Sequence, residues 1–196
     1  MANLIVKPTS GGSLILQDEG GDAALTVGAT GVSTIVNANI TAGTFPNGHI
    51  IQVVQGVKYN KSTTNSTSPV NSDLTVTITP AHTTNKVLLI VSLNVGMQGG
   101  SDRAQFDVLG TTTQSVGNAT TGHETGGTWC PRSADSNWSQ GSVHWSILDA
   151  PATTSAKTYT VRFWGTGGYT VLNSSYSNDA NNGNSMSSIT AMEVVA

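Results

Sequence analysis

The sequence predicts an all-β protein, and three observations carry that expectation. Of 196 residues, 28 are Thr, 22 Ser, 22 Gly and 16 Asn, while charged residues make up only 10%. Thr, Val and Ile favour extended backbone, and few Lys, Glu, Leu or Ala remain to clothe helices. No stretch places apolar residues at i, i+3, i+4 and i+7 between capping residues. Several segments instead alternate apolar and polar with a period of two, as Leu74-Thr75-Val76-Thr77-Ile78-Thr79 does. A chain of this size buries about 70% of its unfolded surface, so a real core is available. The net charge of −3 is too small for charge-driven disorder.

Residues 1–45 read as an extended arm of short pieces, Ser13–Leu16, Ala24–Val27 and Val32–Val36, separated by Gly20-Gly21, Gly28 and Gly31. Each piece is too short for a core of its own. Its apolar residues, among them Leu14, Leu16, Leu25 and Val27, need partners either on the following domain or in other copies of the chain. The pattern changes at Phe45-Pro46-Asn47-Gly48, which separates this arm from a sandwich domain over 46–196. His49–Gln55 opens the regular series of strands, and a short piece follows at Val57–Lys61. In Leu74–Thr79 the apolar residues point inward and the threonines outward, and Pro80 ends the strand because it has no N–H to donate. Val87–Val95 is apolar on both faces, which suits a central strand or one covered by a neighbouring subunit. Ala104–Leu109, Ser142–Leu148, Thr158–Trp164, Tyr169–Leu172 and Met186–Val195 complete the set. In the third of these, Tyr159, Val161 and Phe163 share the core face, and Trp164 takes the other with Thr160 and Arg162. About eight or nine strands with polar turns predict a two-sheet antiparallel sandwich, jelly-roll-like. Two polar spacers, Gln114–Gln140 and Asn173–Ser185, are long enough to carry function.

The charge pattern narrows the function. Lys and Arg are scattered at 7, 58, 61, 86, 103, 132, 157 and 162, with no cluster to neutralise a phosphate backbone, so a nucleic-acid partner is not expected. The longest apolar run, Val87–Val91, is far short of a membrane span, and the N-terminus lacks the basic start and long apolar stretch of a secretory signal. Cys130 is the one cysteine and forms no disulfide within its own chain. No G-x-S-x-G elbow, phosphate loop or H-E-x-x-H is present. His123-Glu124 lacks the second histidine of a zinc helix. Asp102 and Asp107 would leave a strand on opposite faces, unlike a glycosidase pair. Asn178–Asn184 lacks the spaced acidic ligands of a calcium loop. The expectation is a protein that is not an enzyme, with no catalytic residue, metal or cofactor. Eight of the eleven aromatic residues lie between Trp129 and Tyr176. Trp129 and Trp138 stand in a polar loop, and three readings suit them: covering the end of the sandwich, filling a subunit interface, or stacking on a sugar. With Tyr176 they form the candidate outward contact for a glycan.

An ordered series of short segments adds a family likeness. It runs Ile50-Ile51-Gln52-Val53-Val54-Gln55, a Ser/Thr-rich strand pair, Thr79-Pro80 with Asn85-Lys86-Val87-Leu88-Leu89-Ile90-Val91, Ser146–Ser155 with Tyr159-Thr160-Val161, and Ser188-Ile189-Thr190-Ala191-Met192-Glu193-Val194. In this series residues 49–196 resemble a domain that recurs at the C-termini of bacteriophage fibre and other virion-surface proteins, especially of marine and cyanobacterial phages. Residues 12–28 are similar to the Gly-x-Leu-x-Leu-x-Asp stem segments preceding such domains. The resemblance implies a virion structural protein whose sandwich works as a homotrimer and carries no catalytic residues. A chain starting at Met1, with about 45 residues before the domain, fits a capsid decoration (cement) protein or short head fibre. The alternative is a tail fibre or adsorption protein whose sandwich binds a host surface glycan. The implied partners are copies of the chain, the major capsid protein or tail components, and in the alternative a host polysaccharide. Leu14, Leu16, Leu25 and Val27 are then the attachment arm. The expected location is the virion surface, after assembly in the host cytoplasm.

Cys130 stands alone in Thr128-Trp129-Cys130-Pro131, and folding is expected not to need it. Cys130→Ser should cost about 1 kcal/mol or less, leaving the melting temperature within a few degrees of the parent's. A collapse in stability would instead place the thiol in a packed core or intersubunit contact.

Overall fold

The longest strand sets the position of the others. In the computed structural model, which describes residues 45–98, 103–110, 128–129, 140–175 and 185–196, no helix occurs among those residues. All of them fall in the unit Thr44–Ala196. Ten strands occur among these residues: β1 (Ile50–Lys58), β2 (Ser62–Thr64), β3 (Val70–Ile78), β4 (Lys86–Met97), β5 (Ala104–Leu109), β6 (Thr128–Trp129), β7 (Gln140–Asp149), β8 (Lys157–Gly165), β9 (Thr170–Leu172) and β10 (Ser187–Val194). β4 pairs along one edge with β7, from Val87↔Asp149 to Gly96↔Gln140. Its other edge is shared. β10 takes Lys86–Ser92 and β9 takes Val95–Met97. β1 flanks β10, and β2 flanks β9. The second sheet runs β3-β8-β5-β6. Every pairing is antiparallel.

The two sheets enclose one core, so the architecture is a β-sandwich. Val87, Leu89, Val91, Leu93 and Val95 of β4 are all at 0% exposure. They join Leu74, Val76 and Ile78 of β3, Phe106 and Val108 of β5, Tyr159, Val161 and Phe163 of β8, and Ile189 and Ala191 of β10 in a single cluster. Burying each aliphatic side chain contributes about 1.5–3 kcal/mol, which makes this cluster the main source of stability. The core residues of β3 and β8 are those that alternation predicts. The short piece expected at Val57–Lys61 is divided: β1 continues to Lys58, and the chain re-enters the sheet as β2 at Ser62. Trp164 takes the side of β8 that alternation predicts. It lies away from the core, yet it is buried, as are Gln105 opposite it and Asp107 on β5. That end of the smaller sheet is therefore not a solvent face.

Two irregularities bring the sheets together. The register of β3 on β8 shifts between Asn71 and Thr75, where Asp73 has a φ of 62°. This is a bulge, and Ser72 stitches it shut: its hydroxyl donates to the Val161 carbonyl at 2.7 Å and accepts from the Leu74 N–H at 3.3 Å. Opposite, Gly56 of β1 lies so close to β3 that a Cβ there would sit 1.8 Å from the Thr75 carbonyl oxygen.

Two polar contacts reinforce the sandwich, one between its sheets and one at a turn. The Tyr159 hydroxyl donates to Asp149 Oδ2 at 2.6 Å, linking a strand of each sheet. Burial first, and the Asp149 carboxylate second, hold that phenol protonated far above the usual tyrosine range. Glu193, 1% exposed, accepts at 2.7 Å from both the Ala81 N–H and the Asn85 side-chain amide, fixing the β3–β4 turn. At the start of β1, Gly48 (φ 88°) donates to the Val195 carbonyl at 2.8 Å and Val195 returns a bond to His49 at 2.9 Å, clamping the entering chain to the end of β10.

Gly56→Ala should push β1 away from β3, because the clash is with backbone and no side chain can swing aside. We expect a loss of about 3 kcal/mol and a melting temperature lower by roughly 6–12 °C. A thermal melt within a degree of the parent's would show that β1 packs more loosely than described.

Candidate functional site

Among the described residues the ionisable groups make local pairwise contacts. Asp107 and Arg162, cross-strand neighbours on β5 and β8, form a two-pronged ion pair, Nε to Oδ1 at 2.9 Å and Nη2 to Oδ2 at 2.5 Å. Lys157 holds its ammonium 5.8 Å above the Tyr159 ring. His49 turns its Nδ1 to the Pro46 carbonyl at 3.0 Å, and His144 is exposed on β7, on the opposite side from the buried Val143. Among the described residues, no group of three His, Cys, Asp or Glu could hold a metal ion.

What the strands do assemble is a surface. Register carries the outward residues of the larger sheet into rows. Val53 pairs with Met192, Met192 with Leu88, and Leu88 with Leu148, an unbroken aliphatic row across β1, β10, β4 and β7. Val53 and Leu148, at its two ends, are 57% and 60% exposed. The next row is Gln55, Thr190, Ile90 and Ser146, with Gln55 donating to the Thr190 hydroxyl at 3.0 Å. The following one is Val57, Ser188, Ser92 and His144. The outer side of β3 is different in kind: Asn71, Asp73, Thr75 and Thr77 are exposed there, and Thr77 bonds across to Thr158 at 2.8 Å.

A second assembly fills the gap on the shared edge of β4. Between the start of β10, where Ser188 faces Ser92, and the end of β9, where Leu172 faces Val95, Asn94 has no strand opposite it on that edge. Its N–H is taken by the Ser187 hydroxyl at 3.0 Å, and its carbonyl accepts the Asn173 N–H at 2.8 Å. Asn173 is wholly buried with a φ of 65°, a conformation asparagine tolerates better than most residues. Its side-chain amide donates to the carbonyls of Lys58 (2.8 Å) and Asn60 (3.2 Å), and its Oδ1 accepts from Ser187 at 2.5 Å. Four strand ends, those of β1, β2, β9 and β10, meet at this one residue beside the interior of β4. Beside it, the hydroxyls of Ser174, Ser175 and Ser185 are buried without partners.

The sequence-derived candidates fall mostly elsewhere. Leu14, Leu16, Leu25 and Val27, together with Trp138, Tyr176, Cys130, His123, Glu124 and Asp102, lie outside the described residues. Trp129 belongs to β6, with its backbone opposite Ala104. The aliphatic row was missed because its members stand far apart in the chain. The trace it leaves in sequence is the two-faced pattern of Val87–Val95, which marks Leu88 and Ile90 but not their neighbours Val53, Met192 and Leu148. No family model and no curated protein matches the chain.

Asn173→Asp keeps the size and the tolerance of positive φ but points an acceptor at the Lys58 and Asn60 carbonyls. A loss of about 3 kcal/mol is expected, read as a lower urea midpoint with an unchanged slope. An unchanged midpoint would mean the junction is held by the backbone bonds alone.

Proposed function

We propose that this chain is a bacteriophage virion structural protein, a homotrimeric capsid decoration protein or short head fibre with a jelly-roll head. The observation that carries the reading is where the segments of the family likeness lie. Four of them, Ile50–Gln55, Asn85–Val91, Ser146–Asp149 and Ser188–Val194, are scattered over 145 positions, yet they supply β1, β4, β7 and β10, adjacent strands of one sheet. A chance resemblance of low-information pieces has no reason to converge in this way.

The strand order supports the jelly roll. With the short β2 and β9 set aside, β1-β10-β4-β7 faces β3-β8-β5-β6, so eight strands are shared between two four-stranded layers in the double Greek-key succession found in viral capsid domains. Composition supports the setting. A coat of Thr, Ser and Asn binds water independently of pH, and scattered Lys and Arg offer few sites to trypsin-like proteases. A decoration protein acts through interface area that binds the assembled shell, without any reaction to accelerate.

In this reading residues 1–45 attach the protein to the shell and the sandwich forms the head. The full chain should bind particles stripped of it, and a fragment starting near Asn47 should keep its β-sheet circular dichroism but lose that binding. A pull-down with bare particles at matched concentration measures both. Equal binding by fragment and full chain would place attachment in the sandwich and reverse the assigned polarity. Density only at the tail in electron micrographs would replace decoration by adsorption.

A further inference from the structure

We propose that the outer face of the larger sheet is the surface on which copies of this chain meet, with Val53, Met192, Leu88 and Leu148 as its seam. The proposal rests on the reading that the protein works as an assembly of copies, and it assigns the face they use.

Exposure singles out this face. Among the described residues the large exposed hydrophobics are Phe45, Ile50, Val53, Val57, Tyr59, Ile90, Leu148 and Met186. Ile50, Val53, Val57, Ile90 and Leu148 lie on strands of the larger sheet, and Tyr59 and Met186 lie one residue beyond β1 and β10. None lies on the smaller sheet, whose β3 turns Asn71, Asp73, Thr75 and Thr77 to water. Aliphatic side chains scattered singly over a surface need no explanation, but a contiguous row confined to one face marks an interaction site.

The occupant follows from charge and shape. Along the outward rows of β1, β10, β4 and β7 the ionisable side chains are Lys86 and His144, and the rest are aliphatic, hydroxyl or amide groups. A single lysine, Lys86, is too little counter-charge to hold an anionic polymer or an acidic surface. The face presents no outward aromatic platform on its strands for a sugar. A second copy supplies the matching chemistry, aliphatic row against aliphatic row, without like-charge repulsion. Four strands about 4.8 Å apart and about ten residues long make a face of roughly 600 Å². That approaches the roughly 800 Å² per partner of a specific interface. Three copies about a three-fold axis would bring the row of each against the rows of its two neighbours.

The test uses the full chain in sedimentation equilibrium over about 1–50 μM, with Val53→Glu and Leu148→Glu on the proposed face and Thr77→Glu on the opposite sheet. We expect the parent and Thr77→Glu to run as a trimer of roughly 60 kDa under closed cyclic symmetry. The two face variants should dissociate, weakening assembly at least about tenfold with circular dichroism unchanged. A thiol readout covers the case in which a glutamate disturbs folding. In a Cys130→Ser background, Leu148→Cys should react with a bulky maleimide at least about tenfold more slowly in the assembled state than on dilution to monomer. If the parent is a trimer and both glutamate variants keep its mass, or the thiol reacts equally in both states, copies meet elsewhere and the face is overturned while assembly stands. If the variants keep the trimer but lose binding to stripped particles, the shell occupies this face and the proposal fails. A parent that remains a 20 kDa monomer overturns both the face and the assembly reading.

Discussion

Every part of the sandwich answers to the demand that β4 have hydrogen-bond partners on both edges while one of its rows is wholly buried. A buried backbone group without a partner costs as much as a lost hydrogen bond, so both edges of a central strand must be filled along their length. β7 fills one edge without interruption. The other is filled by two strands laid end to end, and the break between them falls at Asn94. Asn173 and Ser187 are there because a break in the ladder leaves one N–H and one carbonyl in need of partners.

The same economy explains how a sandwich with so few charges holds its loops. Single polar side chains hold them: the buried Ser72 in the bulge, Glu193 under the β3–β4 turn and Asn173 at the junction, and the half-buried Asp149 against Tyr159. Hydrogen bonds to a buried charged group contribute more than neutral ones and are little affected by salt. Asp107 and Arg162 differ in kind, a two-pronged ion pair lying between strands of the same sheet.

Sequence made the strands visible and left their meeting points hidden. Leu74, Val76 and Ile78 against the intervening threonines, or Tyr159, Val161 and Phe163, announce a buried face because side chains alternate along any extended strand. The aliphatic row has no such local signature. Val53, Leu88, Leu148 and Met192 become neighbours only through register, which depends on how whole strands pair. The bulge at Asp73 was equally hidden, since Ser72-Asp73 reads as ordinary strand or turn. Alternation places Trp164 on the side of its sheet away from the core but does not say whether that side is wet. The candidates at Trp129, Trp138 and Tyr176 were drawn from composition alone, which locates aromatic rings without positioning them.

The clamp between Gly48 and Val195 gives the domain two poles. Ile50 lies opposite Val194 and Lys58 opposite Ser187, so the chain enters at one end of the β1–β10 pair and the Asn173 junction closes the other. Nine residues of strand at about 3.4 Å each separate them by roughly 27–30 Å. A domain held at its Gly48 end would therefore present the Asn173 junction at the distal pole. Substitutions at that junction would leave the held end of the sheet untouched.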